Sequence, residues 1–152
     1  MSAHDAQSVV TKSIIVEVER ERAFRLWTEQ VRLWWPAGHS LSGDPHTEVF
    51  IEGKVGGRFY ERTSNGVEYE WGQVVVWEPP SGLTYTWYLG SSQELPTRVE
   101  VQFIPLSETA TRIEIEHRGP DLIGGLWWQR QTGFRAAWDS VLSRFGVFLT
   151  DE

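Results

Sequence analysis

Four histidines, no cysteine and 21 carboxylate side chains set the chemistry open to this chain of 152 residues. Without thiols there is no disulfide scaffold, no thiolate metal site and no cysteine nucleophile. His39, Asp44 and His46 share one loop. They match neither a helical His-x-x-x-His pair nor a calcium loop, and a structural zinc site needs four ligands, so no metal is expected. No Gly-x-Ser-x-Gly elbow is present, which leaves no serine nucleophile to single out. Gly53-Lys54-Val55-Gly56-Gly57 lacks the Gly-Lys-Ser/Thr ending of a phosphate loop. No catalytic residue and no cofactor follow from these patterns. His117 stands apart because it continues the face of Ile113 and Ile115. Turned toward apolar walls, it could orient a ligand or move a proton. A hydrogen-bonded histidine at a strand end, near Gly119-Pro120, accounts for it equally well.

The second chemical resource is aromatic surface: nine Trp, seven Phe and four Tyr, against a single Met. So many rigid rings need a large core or a cavity to line. Trp71, Tyr85, Trp87 and Phe103 have inward parity on strand-like segments, and Phe134 and Trp138 face them from the last amphipathic segment. Trp127 and Trp128 sit near the start of that segment. The set reads either as a densely filled interior or as the wall of a pocket for a flat or greasy ligand. Glu70 and Arg98 fall on the polar side of their strands and read as solvated. Rings at Trp34-Trp35 could instead be exposed and form a dimer contact.

The elements that must position these residues follow from periodicity. Residues 9–18 are β-branched with partial alternation, which predicts a strand. Ala23, Phe24, Trp27, Val31 and Trp34 recur at helical spacing until Pro36, giving one helical stretch or two short helices. From residue 47 the pattern is that of strands: 47–52, 58–63, 67–78, 83–90, 97–105 and 109–118. Ser64-Asn65-Gly66 supplies a hairpin turn whose residues accept positive φ, and Gly72 marks a bulge or bend. Phe134, Trp138, Val141, Leu142, Phe145 and Leu149 then define the stripe of a long helix beginning after Gly124-Gly125. That stripe needs a surface, and the meander's apolar face is the large one available. The expected fold is α+β: a curved antiparallel sheet of about seven strands, in β-α-α-β6-α order, wrapped around a C-terminal helix.

Length predicts a single domain over 1–152, with its core at about 9–149. The net charge of −7, with no Lys/Arg cluster, argues against nucleic acid and against an anionic membrane surface. No window of about 18 apolar residues and no apolar leader is seen, so a cytoplasmic location is expected.

The order of elements and several local motifs resemble the SRPBCC (START-like, helix-grip) superfamily. Within it they are most similar to the heat-shock protein 90 ATPase activator homologue family. The residues that carry the likeness are Trp34-Trp35-Pro36-Ala37-Gly38, without the family's usual Gly before Pro, and Gly56-Gly57-Arg58-Phe59. Gly72-Gln73-Val74, Glu78-Pro79-Pro80 and Leu83-Thr84-Tyr85-Thr86-Trp87 follow in order, and Gly133 precedes Trp138 and Leu142. The resemblance implies a hydrophobic cavity between the sheet and the last helix, where superfamily members hold lipids, polyketides or other apolar molecules. The residues expected to line it here are Trp71, Tyr85, Trp87, Phe103, His117, Trp128, Phe134 and Trp138. The leading expectation is non-enzymatic binding of a small hydrophobic molecule. A co-chaperone-like partner module and a hydrolase or cyclase using His117 are the alternatives.

Overall fold

The computed structural model describes residues 9–36, 38–92, 95–119 and 125–150; the side chains of 89–96 and 125–131 lie outside that description. Seven strands form one antiparallel meander: β1 (Val9–Val16), β2 (Glu48–Ile51), β3 (Arg58–Arg62), β4 (Glu68–Glu78), β5 (Gly82–Ser92), β6 (Leu95–Ser107) and β7 (Ala110–Arg118). Their spatial order is β1-β7-β6-β5-β4-β3-β2, so the first strand closes against the last. Two helices, α1 (Arg20–Glu29) and α2 (Val31–Trp34), fill the connection from β1 to β2, and α3 (Gly125–Thr150) ends the chain. This is the curled sheet and terminal helix expected from the periodicities, including the division of the first helical stretch in two.

Alternation does the sorting. Val99, Val101 and Phe103 on β6 and Ile113, Ile115 and His117 on β7 are buried, while Arg98, Gln102, Arg112 and Arg118 are exposed. Phe134, Trp138, Val141, Leu142 and Phe145 of α3 are buried along one stripe. Burial of side chains such as Leu142 and Phe145 stabilises by about 1.5–3 kcal/mol each, which holds α3 on the sheet. Lys12 of β1 adds a surface ion pair to Asp139 of α3 at 3.1 Å.

Two local features differ from the expectation. The turn after β3 draws on glycine alone for a left-handed residue: Gly66 has φ of 87°, and among the described residues no non-glycine residue has positive φ. Glycine carries no Cβ to clash there, whereas Asn65 keeps an ordinary conformation. Trp34 and Trp35 are not an exposed pair. Trp34 is fully buried with its indole donating to Leu26 O at 3.0 Å, and Trp35 turns its ring inward. Trp34 packs on Trp27 and Phe145, while Trp35, just after α2, is half-buried against Phe59 and Trp71.

Candidate functional site

The core divides into two aromatic groups. Under α1, Phe24, Trp27, Trp34, Phe103 and Phe145 meet with ring centroids 4.7–6.1 Å apart. Toward the other end, Trp35, Phe59, Trp71, Tyr85, Trp87 and Trp138 form a second group. Trp87 lies at its centre, 5.1 Å from Phe59, 5.4 Å from Tyr85, 5.6 Å from Trp138 and 6.0 Å from Trp71. Trp35 joins Phe59, Trp71, Trp87 and Trp138, and its neighbour Trp34 belongs to the first group. Tilted and edge-to-face pairs at such distances are the favoured arrangements of π-systems.

A bulge delivers one of these rings. Phe59 pairs with Gly72 and Tyr60 with Glu70, so Trp71 is the extra residue of β4 and is fully buried. Gly72 is required beside it: a Cβ there would stand 1.9 Å from Thr86 O on β5. Trp71 stacks on Phe59 with planes 25° apart, and its Nε1–H donates to Glu61 at 2.7 Å.

Glu61 is the buried charge of this region. Its carboxylate also accepts Leu41 N at 2.7 Å, Ser42 Oγ at 2.5 Å and Thr47 Oγ1 at 2.9 Å. Burial alone would raise its pKa, but the donors from Ser42, Leu41, Trp71 and Thr47 together outweigh that and hold it below the usual value. Glu61 thus ties the loop after α2 to the aromatic group. Asp44 of that loop is used as a turn staple, accepting Ser64 N and Ser64 Oγ at 2.8 Å and His46 N at 2.9 Å.

His117 sits beneath α3, buried, with Phe134 at 4.2 Å between ring centroids. Strand register makes its polar contacts: Val99 pairs with His117, and Thr97, one same-face step away, stands opposite Trp87. Trp138 Nε1 donates to His117 Nδ1 at 2.9 Å. An indole nitrogen can only donate, so Nδ1 is the acceptor and the ring proton sits on Nε2, facing Thr97 Oγ1 at 2.5 Å. The Thr97 hydroxyl passes the chain of bonds on to Trp87 O at 3.3 Å. Burial pushes His117 down to about 3, so the imidazole is neutral near pH 7. Such a ring orients Trp138 and Thr97, and a proton acceptor this weak is poorly matched to base catalysis at neutral pH.

Of the eight lining residues read from the sequence, the structure brings Trp71, Tyr85, Trp87 and Trp138 into one ring group, with His117 and Phe134 adjoining it. Phe103 lies elsewhere, against Phe24 and Trp27. It is four residues along β6 from Val99, roughly 13 Å at strand rise. The side chain of Trp128 lies outside the described residues. Trp35, Phe59, Glu61 and Thr97 are not among those eight. Thr97 shares the parity of Val99 and Val101, and an acid two residues after the apolar Phe59 was a readable signal for Glu61.

Comparison with known proteins agrees with this architecture. The chain is 31% identical to the anthrahydroquino-γ-pyrone synthase Txn09, solved complexed with SUM; the match covers 91% of this chain and 94% of that one, with a TM-score of 0.63. Protein NE0264 from Nitrosomonas europaea matches over 97% of both chains with a TM-score of 0.70 at 14% identity. DynU16, from the dynemicin biosynthetic locus, matches 94% of this chain and 47% of its own with a TM-score of 0.66 at 16% identity. At those two identities the likeness is one of fold. No curated protein matches in sequence. Residues 17–149 match the family described as activator of Hsp90 ATPase homolog 1-like protein. With that match spanning most of the sheet and α3, the chain belongs to the activator of Hsp90 ATPase homolog 1-like family, within the SRPBCC superfamily.

Proposed function

We propose that the chain binds a flat, apolar polycyclic molecule between the sheet and α3, against the rings gathered around Trp87. One observation carries the reading: the aromatic group is large, and three of its four indole nitrogens are turned away into protein bonds. Trp71 donates to Glu61, Trp138 to His117 and Trp35 to His39 O at 2.7 Å. What remains toward a ligand is largely carbon surface, which suits an aromatic guest through stacked and edge contacts. Identity to a synthase whose product is named as a polycycle supports this class of ligand. The chaperone alternative rests on the family description, and no contact at this site favours it.

The test is a titration of the purified chain with 9,10-anthraquinone and anthracene, followed by intrinsic Trp fluorescence and Tm. Saturable quenching by at least one probe, with a concentration-dependent rise in Tm, is the expected result. Absence of both effects for both probes would overturn the proposal. A second reading, ring formation on a bound polycycle, is favoured by the same identity to Txn09. It separates from binding by mass spectrometry and absorbance of a bound polyketide probe, which catalysis changes and binding leaves intact.

A further inference from the structure

The polar atoms of the aromatic group are almost all accounted for. Trp35, Trp71 and Trp138 donate their indole protons, Thr97 and His117 bond one another, and the Glu61 carboxylate is surrounded by donors. Tyr85 stands apart from these. Its ring is fully buried between Phe59 at 5.1 Å and Trp87 at 5.4 Å, and its hydroxyl has no hydrogen-bond partner. Among the described residues, the other buried side-chain atoms in that condition are Trp27 Nε1 and Arg20 Nε. Both belong to α1: Trp27 lies among Trp34, Phe103 and Phe145, and Arg20 is half-buried at the helix start.

An unpaired buried hydroxyl is costly, and phenylalanine would fill the same space without the penalty. A hydroxyl kept there at a cost in stability has its use in another state of the molecule. Resting on the proposed binding of a polycycle, we infer that the Tyr85 hydroxyl is the hydrogen-bond donor for an oxygen of that ligand. The ligand class is thereby an oxygenated polycycle, such as a quinone or aryl ketone, in preference to a plain hydrocarbon or an alkyl lipid tail. The surrounding geometry supports this role. β5 fixes Tyr85 two residues before Trp87 on the same face, so an oxygen bonded to Tyr85 places its ring system against the centre of the wall. Burial pushes the Tyr85 phenol up, so it stays protonated and able to donate throughout the neutral range.

The test uses the full chain and its Tyr85→Phe variant with two probes of one shape, 9,10-anthraquinone and anthracene, which differ by the two carbonyl oxygens. The variant is expected to hold anthraquinone about five- to tenfold more weakly, the range of one neutral hydrogen bond, and anthracene unchanged. Its ligand-free Tm is expected to equal or exceed that of the parent chain. The infrared carbonyl stretch of bound anthraquinone should be lowered in the parent and restored in the variant. Equal anthraquinone affinity in both proteins would overturn the inference while leaving ligand binding intact. So would a ligand-free variant that melts several degrees lower, since the hydroxyl would then have a partner without ligand. Failure of the parent chain to bind either probe would instead overturn the proposed function, and this inference with it.

Discussion

His117 shows how a single residue can record burial as a response to pH. Its ordinary pKa of 6.5 falls to about 3 in the folded chain because burial penalises the imidazolium. Below pH 6.5 the unfolded chain takes up a proton that the native chain does not, so stability falls as pH falls toward 3. The carboxylates with lowered values have the same sign, but Glu61, Glu52 and Glu68 start from 4.5 and Asp44 from 3.8, so they act at lower pH. The window from pH 6.5 to 5 therefore separates His117 from those acids. Over it the native chain should lose about 2 kcal/mol on account of this group, at roughly 1.4 kcal/mol per pH unit. Urea unfolding at pH 7 and pH 5 checks this, with His117→Gln expected to show a clearly smaller difference between the two. Equal losses in the two proteins would mean that His117 is protonated in the native state after all.

At the scale of elements, the bulge in β4 does most to build the aromatic group. Alternation along β4 places Trp71 and Gly72 on opposite faces, yet both are buried because the extra residue resets the parity. Gly72→Ala would drive a Cβ into the Thr86 carbonyl, leaving β4 and β5 to separate locally. A loss of about 3 kcal/mol or more is expected, read by chemical denaturation, together with a changed near-ultraviolet signal from Trp71. The sequence made the glycine legible as a break in pattern and Trp71 as inward, but not that Trp71 is itself the extra residue. Strand order and the stripe of α3 were legible for a similar reason, since period-2 and period-3.6 patterns report burial directly. Trp35, Thr97 and Glu61 were harder to find because their roles depend on partners on other elements. Thr97 matters through a cross-strand register, and Glu61 through a loop that folds back over β3. Phe103 shows the converse: its parity was right, but parity carries no information about position along a 13-residue strand.

For the whole molecule, the question is whether the two aromatic groups are one structure or two. Three features join them: Trp34 and Trp35 are consecutive with rings 5.8 Å apart, α3 carries Trp138 to one group and Phe145 to the other, and β5 through β7 run beneath both. Because β1 pairs with β7, the sheet also links the start of the chain to the strand that precedes α3. Damage to either group should therefore be felt by all of it. Trp138→Leu removes a ring from the wall, together with the donor to His117 Nδ1, and should cost about 3 kcal/mol. For a chain of this size that corresponds to a fall in Tm of about 6–12 °C. Far-ultraviolet circular dichroism, which follows the sheet and helices, and Trp fluorescence, which follows the rings, should shift together by the same amount. If the fluorescence change preceded loss of secondary structure in the variant, the two groups would be separate cooperative units. A ligand held by the Trp87 group would then stabilise only half of the fold.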